Sequence, residues 1–400
     1  MNKRIFLLVF LTIFLIHTGA FILIRDHSLM IDENYHYRQI VRFLSGDFRP
    51  DPLLSMIPGY HAILAAGARI LHVSRFQDIR LIGFLINVLT IPIFYLTARE
   101  IDRQNALVKT LHYSFFPLIF PYFSLIYTDI FSLLFILLSL FTLYKKHYLA
   151  SGIIASVSIL ARQNNIVWLI FLFLFIYIKK FGWHISRTNL IIHLSRTYTF
   201  VLGPLLLCEF LILNGAMTIG DRQLMYLNLL NQSNIFIIIF LFPFLFLPLL
   251  LSYGHDMVKL LWKYRVYIIL LVPVFFIYYK LFTNTHLYNQ APFFLHNALI
   301  LYFTGDTLRK LIFFSVLVMA VLFLLVVKLK EKAGYLLYPI TAIFLIPIWF
   351  MEWRYYITSF VLFLLFRETR GWKVEYGLFL YFLIFSFYFY SGIFRFIFFL

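Results

Sequence analysis

The segment Ile31–Gln39 reads IDENYHYRQ and gathers two acids, a histidine, an arginine and a glutamine. On a helix, Asp32, His36 and Gln39 recur at i, i+4 and i+7 and share one face. Arg38 and Arg42, also four apart, form a neighbouring basic stripe, and guanidinium groups suit phosphate. A carboxylate can take the proton of an acceptor hydroxyl while an arginine stabilises a leaving phosphate. The chemistry this suggests is group transfer from a lipid-phosphate donor. Two acids that open a helix are also favoured by its macrodipole alone, so the motif needs support from the rest of the chain.

Further compact polar motifs recur along the sequence. They are YTD at 127–129, ARQNN at 161–165, IGDR at 219–222, THLYNQ at 285–290 and MEWRYY at 351–356. The candidate binding residues they supply are Tyr127, Asp129, Arg162, Gln163, Asn165, Asp221, Arg222, Glu352, Arg354 and Tyr355, beside His36, Arg38 and Gln39. Each has a structural explanation as well. Asp129 stands where a span begins and could cap it. Arg162 and Arg222 could anchor spans by snorkelling. Glu352 and Arg354 could be a structural ion pair. Glu209, inside an apolar run, reads as a helix-packing or hydrogen-bonding residue.

The elements that must position these groups are set by composition. The 400 residues are 62% hydrophobic and 13% charged, with 50 phenylalanines. A soluble chain is about half apolar and about a quarter charged. Lipid is therefore the solvent, which excludes a soluble enzyme, a nucleic-acid binder and a disulfide scaffold. Cys208, the single cysteine, permits no internal disulfide. The expected fold class is all-α, a polytopic membrane protein forming one membrane domain over residues 1–400, with an outer loop at 25–56 and no soluble domain. Apolar runs of spanning length fall near 5–24, 80–98, 107–126, 128–144, 149–161, 164–178, 199–214, 234–252, 265–282, 310–328, 335–350, 355–367 and 375–397. The first of these follows Lys3 and Arg4, is too long for a signal-peptide core and reads as a retained span. Most phenylalanines and tyrosines are expected to face lipid or the interface.

A further run at 57–72 opens with Pro58–Gly59 and carries His61 and Arg69. Charge decides its status. If it does not cross and the N-terminus is cytoplasmic, the cytoplasmic side holds 20 basic residues and 6 acids. The other side then holds 14 basic residues and 10 acids. If 57–72 crosses, that separation is lost. The run is thus expected to be a re-entrant or in-plane helix beside about 13 spans, and the net charge of +17 is an orientation signal. This topology puts every compact polar motif on the non-cytoplasmic side.

Taken together, the motifs resemble a known family. DE-x-x-H-x-x-Q at 32–39, Gly46, Phe48 and Pro58–Gly59 resemble the first outer loop of the Die2-type dolichyl-phosphoglucose-dependent alpha-1,2-glucosyltransferases. Also matching, in order, are FP at 116–117, YT at 127–128, RQ-x-NI-x-W at 162–168, NG and IGDR at 214–222, and E-x-RY at 352–355. The resemblance implies a GT-C membrane fold and an inverting transfer of a hexose, glucose above all, from a polyprenyl or dolichyl phosphate to a glycan or lipid-linked acceptor. By position it implies Asp32 as general base and Glu33 as a residue that positions the acceptor or supports Asp32. His36 and Gln39 would line the pocket, and Arg162, Arg222 and Arg354 are the candidates for the donor phosphate. The chain departs from the family after IGDR, where it reads QLMYLNLLNQ, and at 290–297, where QAPFFLHN replaces a stretch rich in charge. These departures bear on the acceptor more than on the donor class.

Two rivals are defined. One is a GT-C transferase with mannose or arabinose as the donor sugar. The other is a transporter or flippase for lipid-linked sugars, which would favour internal repeats and midplane sites that the sequence does not display. His27, His61, His72, His112 and His147 show no metal-ligand spacing. No cofactor is required, although a divalent cation bridged by Asp32 and Glu33 is left open. The membrane is the cell membrane in a prokaryote or that of the endoplasmic reticulum in a eukaryote.

Overall fold

The computed structural model describes residues 3–220, 228 and 231–400. Among them the regular structure is helical, and β pairing is limited to two isolated bridges. The chain divides into two compact units: residues 1–114 with 119–223, and residues 224–400 with the short segment Phe115–Leu118.

The first unit holds α1 (Lys3–Arg25), α2 (Glu33–Leu44), α3 (Gly59–Ile70), α4 (Phe76–Val88), α5 (Thr90–Ile101) and α6 (Ala106–Ser114). It continues with α7 (Thr128–Tyr144), α8 (Tyr148–Ala161), α9 (Ile166–Phe181), α10 (Arg187–Thr197) and α11 (Leu202–Asn214). The second unit holds α12 (Ser233–Leu245), α13 (Leu247–Ser252), α14 (Gly254–Lys263), α15 (Leu271–Leu281) and α16 (Leu295–Thr304). Its remaining helices are α17 (Thr307–Val326), α18 (Leu337–Leu345), α19 (Ile357–Phe366) and α20 (Trp372–Phe394).

Among the described residues, six helical stretches are long and apolar enough to cross a membrane, or seven if the bent pair Gly254–Lys263 and Arg265–Leu281 is one span. This is a multi-pass membrane protein. The run at 107–126 is not one continuous helix. α6 stops at Ser114, and a single 3-10 turn follows at Pro121–Ser124. Pro117 and Pro121 lack the N–H a helix needs, and nearly every residue from 112 to 133 is buried in protein. Apolarity marks burial in protein as well as in lipid, so the sequence pattern does not separate the two. α3, over the ambiguous run, has 12 residues. At about 1.5 Å per residue it is about 18 Å long, short of a hydrocarbon core of about 30 Å.

α2 forms because His36, Gln39, Ile40 and Phe43 repeat at helical spacing and are buried, while Asn34, Tyr35 and Val41 face out. Its buried face packs on α3, where Ile40 and Phe43 join Tyr60, Leu64, Ala65 and Ala68 in one cluster with Ile79, Phe131 and Ala161. Gly46, at φ +84°, ends α2 in the left-handed region that glycine enters without penalty. In the second unit Phe116, Phe242, Phe246, Phe360, Phe363 and Phe382 contact one another ring to ring in the interior. This part of the aromatic content is core and does not meet lipid.

One sequence expectation is corrected here. Glu209 is exposed on α11 and is not packed between helices. Leu202, Leu205, Ile212 and Leu213 of the same helix are exposed too, and a helix apolar on all sides carries no periodic signal to say which face turns inward. Buried ion pairs also join Lys109 with Asp102 at 3.5 Å, and Arg367 with Glu375 at 2.6 Å.

Candidate functional site

The site in the first unit begins at a strained turn. Ile31 has φ +49°, a left-handed conformation that a β-branched residue rarely adopts. Such a residue costs on the order of 1–3 kcal/mol and persists where its surroundings hold it. Here the holding group is Glu33. Its backbone N–H donates to the Met30 carbonyl at 2.9 Å, and its carboxylate accepts from the Met30 N–H at 2.9 Å. The same carboxylate accepts from the Ile126 N–H at 2.8 Å and from Arg80 at 2.6 and 3.1 Å. Arg80 in turn donates to the carbonyls of Ile24, Arg25 and His27. Both side chains are fully buried. Glu33 therefore ties the end of α1, the turn before α2 and the approach to α7 into one frame.

Asp32 lies on the other side of that turn. It is half-buried and occupies the N-cap position of α2, and its side chain makes no capping hydrogen bond. Its backbone N–H donates to the Tyr127 hydroxyl at 3.3 Å, and that hydroxyl donates to the Met30 carbonyl at 3.3 Å. Tyr127 packs edge-on to His36, with ring centroids 5.5 Å apart. His36, one turn after Asp32, is buried and hydrogen-bonded through Nδ1 to Nε2 of His61 at 2.8 Å. Burial, with His36 alongside, holds His61 well below the usual histidine range.

The remaining sequence candidates in this unit build the frame. Gln39 is buried, and its Oε1 accepts from the Asp51 N–H at 2.5 Å. Arg38 and Arg42, expected as a stripe for phosphate, are each engaged by a carboxylate of the following loop. Arg38 pairs with Asp51 at 3.0 Å and Arg42 with Asp47 at 2.7 Å. Arg49, joined by Arg42, holds the Asp47 carboxyl far below its ordinary range. The stripe thus closes the 47–51 loop onto α2. Gln163 donates to the carbonyls of Ser55 and Met217 at 3.0 and 2.8 Å and accepts from the Ile57 N–H at 3.3 Å. It pins the loop before α3 to the segment after α11, where Gly220 approaches so closely that an added Cβ would lie 2.0 Å from the Pro52 carbonyl oxygen. Asn165 donates to the Ser132 hydroxyl and the Ser158 carbonyl. Asp129, in the first turn of α7, forms an ion pair with Arg162. It does not cap the helix, since Tyr127 is the N-cap. Asp221 and Arg222 lie outside the described residues.

In the second unit, Glu352 and Arg354 form a buried ion pair, and Tyr355 is buried next to them in sequence. Their segment is framed by amides. Asn289 accepts from the Met351 N–H at 3.1 Å and donates to the Met351 carbonyl at 2.7 Å, and its amide also reaches Asn297. Asn234 donates to the carbonyls of Ile348 and Phe350 and accepts from the Tyr356 hydroxyl. His296 is buried and lowered to about 3, by burial first and then by Arg354.

The sequence reading missed Arg80 and His61 as site residues. Arg80 opens an apolar run and looks like a span boundary, because its partner is 47 positions away. Its one signal is a charge at the edge of that run. Among the described residues, no group of three or more His, Cys, Asp or Glu could hold a metal ion.

Comparison with known proteins bears out the resemblance seen in the motifs. Residues 27–189 match the DIE2/ALG10 family, and the chain is a distant relative of it. It is 25% identical over 320 residues to the human Dol-P-Glc:Glc(2)Man(9)GlcNAc(2)-PP-Dol alpha-1,2-glucosyltransferase, covering 65% of this chain and 66% of that one. It is 30% identical over 220 residues to the protein of that name from Candida glabrata, covering 48% of this chain and 42% of the relative. For the Candida albicans protein of the same name the identity is 28% over 226 residues, with 48% and 50% covered. The chain thus matches just under two thirds of the human relative and half or less of the fungal ones. No solved structure matches it.

Proposed function

We propose that the protein is an integral membrane glycosyltransferase that moves a hexose, glucose by its relatives' donor, from a polyprenyl phosphate to a glycan or lipid-linked acceptor. The reading takes the whole chain as one GT-C-type membrane domain whose catalytic loops face the non-cytoplasmic side. Asp32 is the general base. It removes the proton of the acceptor hydroxyl as that oxygen bonds to the anomeric carbon. The bond from the anomeric carbon to the phosphate oxygen breaks, and the polyprenyl phosphate leaves with the electron pair. Attack opposite the leaving group inverts the configuration.

Glu33 serves this step as a positioning residue, since its carboxylate is fully engaged by the Met30 and Ile126 amides and Arg80. Arg162 and Arg354 are the described candidates for the phosphate. A guanidinium is planar and suits a phosphate, and Asp129 and Glu352 orient Arg162 and Arg354 respectively. The observation that carries the reading is the division of labour between two adjacent acids: Glu33 is sealed into the frame, and Asp32 is half-exposed at the start of α2.

The test is transfer by the purified protein in proteoliposomes, supplied with synthetic polyprenyl-phosphate glucose, mannose or arabinose and with lipid-linked glycan acceptors. The expected result is inverted glucoside from the glucose donor. Transfer only from mannose or arabinose would replace the donor assignment. Flipping of a lipid-linked sugar without any transfer would replace the enzyme by a transporter.

A further inference from the structure

α14 and the segment that follows it meet at a corner. Arg265–Leu281, a 3-10 turn running into α15, is inclined at 87° to Gly254–Lys263. At about 2.0 and 1.5 Å per residue for the two helix types it is about 28 Å long, close to a hydrocarbon thickness of about 30 Å. Tyr278 is the one buried residue in it, and its apolar side chains from Val266, 80% exposed, to Ile277 are mostly uncovered. A helix uncovered and apolar around its circumference belongs in lipid. α14 has 10 residues and is about 15 Å long, too short to cross.

Its sequence sorts onto two faces. Val258 and Leu261 lie on one, while His255, Lys259 and Lys263 recur at i, i+4 and i+8 on the other. Met257 is the one buried residue of α14, and Val258, Leu261 and Trp262 are exposed. The N-terminal end is tied to protein. Asp256 pairs with Arg370, whose guanidinium lies 4.2 Å over the ring of Tyr253, and Tyr253 meets Phe323 of α17 edge-on. The C-terminal end carries three exposed cations, Lys259, Lys263 and Arg265. Among the described residues none of the three pairs with a carboxylate, and the sequence holds no acid between Asp256 and Asp306. Lys263 and Arg265 lie over the rings of Tyr264 and Trp262, at 5.2 and 5.6 Å. One cation in the last turn answers the helix macrodipole, but three, with Arg265 beyond the helix end, exceed that need.

We infer that α14 lies in the plane of the membrane interface and that Lys259, Lys263 and Arg265 bind the headgroup phosphates of anionic phospholipids. The apolar face with Val258 and Leu261 enters the acyl boundary, Trp262 and Tyr264 stand at headgroup level, and the cations donate to phosphate oxygens. A zwitterionic headgroup brings its own cation, which offsets its attraction to three uncompensated positive charges. A headgroup of net negative charge does not, so charge selects the anionic lipid.

Two measurements on the full-length protein decide it. In neutral detergent micelles, titration with a fluorescent phosphatidylglycerol and with the matching phosphatidylcholine should show preference for phosphatidylglycerol, and that preference should shrink between about 0.05 and 0.5 M salt. A cation near an anionic surface is worth about fivefold, so K259Q/K263Q/R265Q should weaken phosphatidylglycerol binding at least about tenfold and leave phosphatidylcholine binding as it was. K259R/K263R, which keeps the charge, should bind like the unmodified protein. Phosphatidylglycerol binding by the triple variant at unmodified affinity, with an unchanged unfolding midpoint, would overturn the inference. K259Q and R265Q singly, each expected to lose about fivefold, carry the same test should the triple variant not fold. The placement of α14 is read by spin labels at H255C, V258C, K259C and L261C in the C208S protein, which removes the single native cysteine. In phosphatidylcholine–phosphatidylglycerol vesicles, oxygen should reach the labels at 258 and 261, and a water-soluble nickel chelate those at 255 and 259. Equal exposure of all four to the chelate would put α14 in water. Shielding of 258 and 261 from both reagents would put a protein partner on that face, and either result overturns the inference.

Discussion

The turn before α2 and the segment before α19 solve one problem with different materials. Each must hold irregular backbone in a chain that is otherwise helix and lipid-soluble side chain, where an unpaired N–H or C=O is costly. In the first unit the clamps are ionic: Glu33 with Arg80, Asp51 with Arg38, Asp47 with Arg42 and Asp129 with Arg162. In the second unit they are mostly neutral: Asn289 grips Met351, and Asn234 grips Ile348 and Phe350, with Glu352–Arg354 adding an ion pair. Where both partners are buried, as in Glu33–Arg80, an ionic clamp is severe to break, because the survivor is a buried charge. An amide clamp loses hydrogen bonds but leaves no charge.

The largest test of this contrast is Glu33→Gln. It strands Arg80 and should destabilise the first unit by about 3–5 kcal/mol. Chemical unfolding in detergent, followed by a probe in that unit, would measure it. A cost below that of an ordinary hydrogen bond would mean that the ion pair does not hold the turn. Asn289→Leu in the second unit should cost less, about 1–3 kcal/mol, by removing the partners of the Met351 N–H and C=O. If it proves the costlier of the two, the contrast between the clamps is wrong.

A third effect depends on pH. Folding holds His61 below its ordinary value, so the unfolded chain binds the proton that the folded chain refuses. The stability contributed by this group is complete above its unfolded value near 6.5 and is lost as pH falls toward the folded value. The slope is at most about 1.4 kcal/mol per pH unit for one proton. Unfolding midpoints between pH 7 and 5 should therefore fall less steeply in H61Q than in the unmodified protein. Equal slopes would remove His61 from the linkage. The smallest effect is Ile31→Gly. Relief of the left-handed strain and the added chain entropy of glycine nearly offset, leaving a change of about 1 kcal/mol or less.

The same contrast explains what was legible in the sequence. DE-x-x-H-x-x-Q places Asp32, His36 and Gln39 on one helical face, and α2 carries His36 and Gln39 on its buried side with Asp32 at its cap. That is local periodicity, which a short stretch of sequence contains. The partners that define the site are long-range. Arg80 and His61 are fixed only when α4 and α3 meet α2, and no spacing rule reports them. The spacing of Arg38 and Arg42 is equally local, and the pairing of each with Asp51 or Asp47 of the next loop is not visible in it. At the level of the fold, the apolar runs announced a multi-pass protein. The run at 107–126 looked like a span because packing against protein and packing against lipid draw on the same residues. The asparagine clamps of the second unit carried no charge signal.

The central claim is that Asp32 is the base and that Glu33 acts only by holding it. The direct measurement is glucose transfer in proteoliposomes by Asp32→Asn, with folding verified by an unchanged unfolding midpoint. The account predicts a fall in kcat of about 10²–10⁴-fold with the donor KM little changed, the range for loss of a general base. Transfer by Asp32→Asn at the rate of the unmodified protein would contradict it.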